Sequence, residues 1–143
     1  MKTIADFMTH DHKACDNEFA DAEQAVFDGD WAKTETSFNA FRSHMAHHFR
    51  MEENALFPTL LSAGGPSGPV QMMLMEHVQM NELIGDMATA LADKDADKYN
   101  GLSETLLIVM QQHNHKEENI LYPISDHILS AQRESVLESM QAV

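Results

Sequence analysis

The chain has 143 residues, 43 % hydrophobic and 22 % charged, the size and balance of one globular domain that needs no disulfide staples. A formal charge of −14 opposes phosphate backbones and anionic bilayers, so no nucleic acid and no membrane is expected among its partners. The lone Cys15 excludes an intrachain disulfide, no signal-like apolar run follows Lys2, and no segment approaches the ~18 apolar residues of a membrane span; a single cytoplasmic domain over residues 1–143 is expected.

Apolar residues recur at helical spacing nearly throughout, and no stretch alternates with period two, which predicts an all-α fold. A first helix carries Ile4, Phe7, Met8, Cys15, Phe19, Ala22 and Val26 on one face. Asp28-Gly29-Asp30 ends it, with Gly29 suited to the left-handed cap and Asp30 to capping the next helix. The second helix carries Trp31, Phe38, Phe41, Met45, His48, Glu52 and Leu56 and is expected to stop near Pro58. Ala63-Gly64-Gly65-Pro66-Ser67-Gly68-Pro69 is a connecting loop. The third helix carries Val70, Met73, Leu74, His77, Met80, Ile84, Met87 and Leu91; the fourth carries Leu102, Leu106, Val109, His113, Glu117 and Leu121 and should end near Pro123. A short extra helix is expected over 126–141, with Ile128, Leu129, Val136 and Met140 inward. Long helices with short connections give an up-down-up-down four-helix bundle over about 4–125, plus the C-terminal extension.

The chain repeats itself with an offset of 65 residues. His48-Phe-Arg-Met-Glu52-Glu53-Asn54-Ala-Leu56-Phe57-Pro58 returns as His113-Asn-His-Lys-Glu117-Glu118-Asn119-Ile-Leu121-Tyr122-Pro123, and Asp11-His12 returns as Glu76-His77. The bundle is therefore two copies of one helical hairpin. Each copy offers two imidazoles and a carboxylate on its apolar stripe, where a bundle builds metal sites. Residues i and i+4 share a helix face, so His48 with Glu52, and His113 with Glu117, can reach one metal centre. Among nine histidines only these two are followed by Glu at i+4. Facing hairpins would gather His12, His48, Glu52, His77, His113 and Glu117, a shell for two metal ions. Each metal would take two histidines, and each glutamate would bridge. With an added oxo or hydroxo bridge, each metal keeps an open position. Imidazole with carboxylate suits iron, zinc, copper or manganese; a carboxylate-bridged pair with open positions favours iron or manganese, iron for redox chemistry, and a mixed pair also fits.

The repeat sorts the other candidates. His10, His47, His115 and His127 have no histidine counterpart and are expected at the surface or behind the ligands. His44, one turn before His48, is the one that could add a third imidazole to a metal. Asp11 and Glu76 could accept N–H groups from ligating histidines. Cys15 reads as a small buried apolar group, and the methionine-rich third helix as adaptable core filling. Tyr122 aligns with Phe57, so the repeat gives no support to a special redox role for its hydroxyl.

His12, His48-x-x-x-Glu52, His77 and His113-x-x-x-Glu117, with the Glu-Glu-x-x-Leu-aromatic-Pro tails, closely resemble the haemerythrin-like, HHE cation-binding family over roughly residues 4–125. The resemblance implies a four-helix bundle, a non-haem di-iron centre with an oxo-type bridge, and these six residues as ligands. The chain departs from the respiratory haemerythrins, which have five His, one Glu and one Asp. Here His77 is followed at i+4 by Asn81, and Glu117 stands in place of the Asp. The symmetric shell looks more like bacterial haemerythrin-like proteins and iron–sulfur-repair di-iron proteins. A ferritin-like site would need Glu-x-x-His, and no acidic residue stands three before any histidine. Expected functions are binding of O2 or NO for storage, delivery or sensing; alternatively a di-iron enzyme acting on NO, peroxide or O2, or iron handling.

Overall fold

A computed structural model describes residues 2–143. The described residues are helical nearly throughout and form no strand. Helices α1 (Ile4–Phe27) and α2 (Trp31–Met51) make one hairpin, and α4 (Ser67–Ala92) and α5 (Ala96–Lys116) the other. The hairpins face each other, α1 against α5 and α2 against α4, in the expected up-down-up-down bundle. The tight turns are chemically related. Gly29 has φ +71°, and Lys94 takes φ 52° at the equivalent place, where a side chain is strained. The next residue caps in both: Asp30 accepts from the Lys33 amide and Asp95 from the Lys98 amide.

The second and fourth helices do not end at their prolines. Each widens into one π-helical turn, Glu52–Leu56 and Glu117–Leu121, and continues as α3 (Phe57–Ser62) and α6 (Tyr122–Ile128). The Phe57 amide reaches back to the Glu52 carbonyl, and the Tyr122 amide to the Glu117 carbonyl. After so wide a turn Pro58 and Pro123 stand in the first turn of a fresh α-segment. There the missing N–H breaks no ladder and the ring avoids the carbonyl it would otherwise strike. The C-terminal element also starts later than expected. Ile128 and Leu129 close α6, a short 3-10 turn spans Ser130–Gln132, and α7 is Arg133–Gln141. It packs on the first π turn and α2, burying Val136 and Met140.

Two apolar layers fill the bundle. One, around Phe19, Phe38, Phe41, Met80, Tyr99 and Leu106, lies at the tight-turn end. The other, around Ile4, Met8, Leu56, Phe57, Tyr122 and Met140, lies at the π-turn end. The polar residues singled out by the repeat sit between them: His12 between Met8 and Cys15, His77 between Met73 and Met80. No helix of the described residues is long and apolar enough to cross a membrane.

Asp126 on α6 closes the chain on itself. Its Oδ1 accepts the Ile4 amide at 2.8 Å and its Oδ2 the Ala5 amide at 3.0 Å, two donors the first turn of α1 would otherwise leave unpaired. Asp126→Ala is expected to lower unfolding stability by about 1–2 kcal/mol. The check is a lower urea midpoint at unchanged slope; an unshifted midpoint would show that water replaces the carboxylate without loss.

Candidate metal centre

Each long helix contributes one imidazole to the level between the apolar layers: His12 from α1, His48 from α2, His77 from α4 and His113 from α5. Glu52 and Glu117 open the two π turns. All six are at most 2 % exposed. Ionisable groups buried to this extent must pair with one another or hold a cation.

The ligand-type atoms form two groups that share Glu117. One joins Glu52, His77, His113 and Glu117; the other joins His12, His48 and Glu117. His77 Nε2 lies 3.0 Å from Glu52 Oε1, and His113 Nε2 lies 3.2 Å from Glu117 Oε1. Yet His77 Nε2, His113 Nε2, Glu52 Oε1 and Glu117 Oε2 make no hydrogen bond. They approach without aiming at one another, as ligands around a shared point do. In the other group His12 Nε2 is 3.1 Å from Glu117 Oε1, while His48 Nε2 is 3.7 Å from Glu52 Oε1. The structure thus brings together all six residues picked out by the repeat. The all-imidazole and carboxylate donor set, with orphaned buried atoms converging, fits a redox metal such as iron.

Behind every imidazole stands a carboxylate. The Nδ1 atoms of His12, His48, His77 and His113 lie 2.6, 2.6, 2.7 and 2.8 Å from oxygens of Glu118, Asp11, Glu53 and Glu76. With Nδ1–H donating outward, each Nε2 presents its lone pair to the centre. Asp11 and Glu76 accept as the sequence suggested, each from the histidine on the partner helix of its own hairpin. Glu53 and Glu118 were not expected in this role, although the second Glu of each Glu-Glu pair was their signal. They cross over: Glu53 serves His77 of the second hairpin, and Glu118 serves His12 of the first.

His44 joins neither of the two central groups; its ligand-type atoms lie instead with those of Asp11 and Cys15. Its Nδ1 lies 2.6 Å from Glu18 Oε1 and its Nε2 2.7 Å from Asp11 Oδ1, so both nitrogens are committed to carboxylates. It steadies the far side of Asp11, ending a chain from His48 through Asp11 and His44 to Glu18. Cys15 is buried beside Asp11 and His44. Burial, reinforced by the nearby acidic groups, pushes its thiol well up, so it remains protonated. His10, His115 and His127 are exposed and His47 half-buried, away from the centre. One residue here was set aside by the repeat. The Tyr122 hydroxyl lies inside, donating to Glu52 Oε2 at 2.8 Å and Glu117 Oε1 at 2.9 Å. Averaging the two halves had hidden it, because its counterpart is Phe57.

The electrostatics are those of a crowded acidic pocket. Burial, then the Glu117 charge, raises the Glu52 carboxyl well above its usual range. Burial also opposes ionisation of Glu117, but the His113 charge and the close approach of Glu52, His113 and His12 hold it well below. Burial, with the His113 charge, lowers His77 to about 4. Burial lowers His48 against the pull of Asp11. His12 and His113 are raised: burial works against their protonation, and the Glu117 carboxylate, with Glu118 and Glu76 respectively, overcomes it.

A helical bundle with a buried histidine–glutamate cluster defines a class of metal-binding proteins. The family model of the hemerythrin HHE cation binding domain matches residues 3–125, and the chain belongs to this family. No curated protein and no solved structure gives a significant match.

Metal binding requires neutral imidazoles and ionised carboxylates, so protons compete with it as pH falls. Among the imidazoles they compete first at His12 and His113, raised above 6.5, and last at His77, near 4. In the metal-free protein, the stability contributed by the depressed His77 is fully present above pH 6.5 and is lost as pH falls through about 4. Metal-loaded protein should therefore hold its metal at about pH 8, lose it progressively below about 6.5, and be stripped near pH 3. Metal per chain after desalting at each pH measures this; full retention at pH 3 would exclude these ligands. Glu53→Gln and Glu118→Gln should each weaken metal affinity about 10- to 100-fold in chelator competition, and unchanged affinity would reduce both to surface acids.

Proposed function

We propose that the protein is a non-haem di-iron binding protein. Its six ligands are His12, His48, Glu52, His77, His113 and Glu117. They would hold two irons with an oxo or hydroxo bridge, and the pair would supply an open position for O2, or NO, in storage, delivery or sensing. The observation that carries this reading is the set of four carboxylate-backed imidazoles and two central glutamates, buried with unpartnered atoms converging on one point. Iron in such a set supplies a reducible centre with exchangeable positions.

The chain's own residues do the rest. The Nδ1 hydrogen bonds fix each ring and tautomer before metal arrives, so little order is lost on binding. Burial of all six residues excludes bulky substrates. Phe49 stacks on His77 at 3.9 Å between ring centres, and Phe57 lies near-parallel to the same imidazole at 6.2 Å. These rings surround His77 with apolar surface, which favours O2 and NO over charged solutes.

The test is a visible spectrum of iron-loaded protein reduced without air, then exposed to O2, then degassed. A charge-transfer band that appears with O2 and vanishes on degassing is expected. A band that persists after degassing would overturn reversible binding and favour turnover of NO, peroxide or O2, or iron handling.

A further inference from the structure

The two halves of the centre differ at one oxygen atom. Phe57 stands in the first half where Tyr122 stands in the second, and both are buried. Tyr122 Oη lies 3.3 Å from His12 Nε2 and 3.4 Å from His48 Nε2, besides 2.8 Å from Glu52 Oε2 and 2.9 Å from Glu117 Oε1. Atoms about 2.1 Å from a common metal, in adjacent coordination positions, lie about 3 Å apart. These separations, with the 3.1 Å between His12 Nε2 and Glu117 Oε1, match the spacing that ligands of one metal would have, the phenol oxygen among them. On the other side the picture is reversed. His77 Nε2, His113 Nε2, Glu52 Oε1 and Glu117 Oε2 are the unpartnered atoms, and Phe57 has no oxygen to offer them.

We propose that Tyr122 is a seventh protein ligand, closing the metal position formed by His12, His48 and Glu117, so that an outside ligand exchanges only at the His77–His113 position. This rests on the two-metal reading above. On coordination the Tyr122 O–H bond breaks, the oxygen keeps the electron pair and bonds the metal, and the proton leaves to solvent. No oxidant or reductant is involved. The repeat thus supplies two equal hairpins, and one aromatic-to-tyrosine difference makes their metals unequal.

The experiment compares wild-type and Tyr122→Phe protein loaded with iron(III), measuring iron per chain, the visible spectrum and azide titration. Wild type is expected to show a phenolate-to-iron(III) charge-transfer band that the variant lacks at equal iron content, and to bind one azide per iron pair where the variant binds two. Resonance Raman excitation in the wild-type band should enhance tyrosinate ring modes, a readout that needs no variant to fold. Equal iron with identical spectra, or two azides per pair in wild type, would overturn the proposal while leaving the two-metal reading intact. Wild type that binds no iron would overturn that reading, and this one with it.

Discussion

Two carboxylates and four imidazoles at the centre of a helical bundle cannot be solvated by water and cannot fully satisfy one another. Glu52 and Glu117 face the same point, and burial together with like charge forces their protonation behaviour apart. A multivalent cation resolves this conflict, because it pairs with both carboxylates and with every imidazole lone pair at once. The remaining architecture follows from holding that arrangement. Apolar layers above and below exclude water, and a carboxylate behind each ring fixes its direction.

The π turns belong to the same constraint. A regular helix gives a consecutive Glu-Glu pair two directions about 100° apart and then carries the apolar face onward at its usual pitch. The wider turn lets Glu52 point into the centre, Glu53 reach His77, and Ala55, Leu56 and Phe57 all become buried. One extra residue per turn thus serves both the site and the core beneath it, in keeping with the concentration of π turns at functional positions. The exchange of Glu53 and Glu118 between hairpins also makes the site an interlock. Neither hairpin can complete its imidazole hydrogen bonds without the other.

Much of this was legible in the sequence, for identifiable reasons. A helix turns a four-residue spacing into one face, and the 65-residue offset made the same spacing appear twice; all six central residues followed from those two facts. What was missed has an equally physical cause. Pro58 and Pro123 read as stops because proline breaks an α-ladder, and nothing in composition announces that the preceding turn is π. His44 shares a face with His48, but its partners, Asp11 and Glu18, lie on a neighbouring helix that spacing alone cannot orient. Tyr122 was lost to the symmetry argument itself: a repeat reveals what two halves share and conceals what distinguishes them.

The distinction between the halves extends to charge. Asp11 and Glu76 are equivalent by the repeat, and each holds the histidine of its hairpin's second helix. Each also needs a second cationic neighbour to offset a partly buried carboxylate. In the first half His44 fills that place, and in the second Lys116 does, hydrogen-bonded to Glu76. The residues aligned with them, Val109 and Met51, cannot. The two partners differ in kind, an imidazole in the first half and an amine in the second. Hydrogen bonds to Glu18 and Asp11 raise His44 against the effect of burial, which extends its charged range upward without making it permanent. Two hairpins of common pattern thus surround the centre with unlike partners, and the side carrying the Tyr122 hydroxyl is also the side whose outer carboxylate is held by an imidazole.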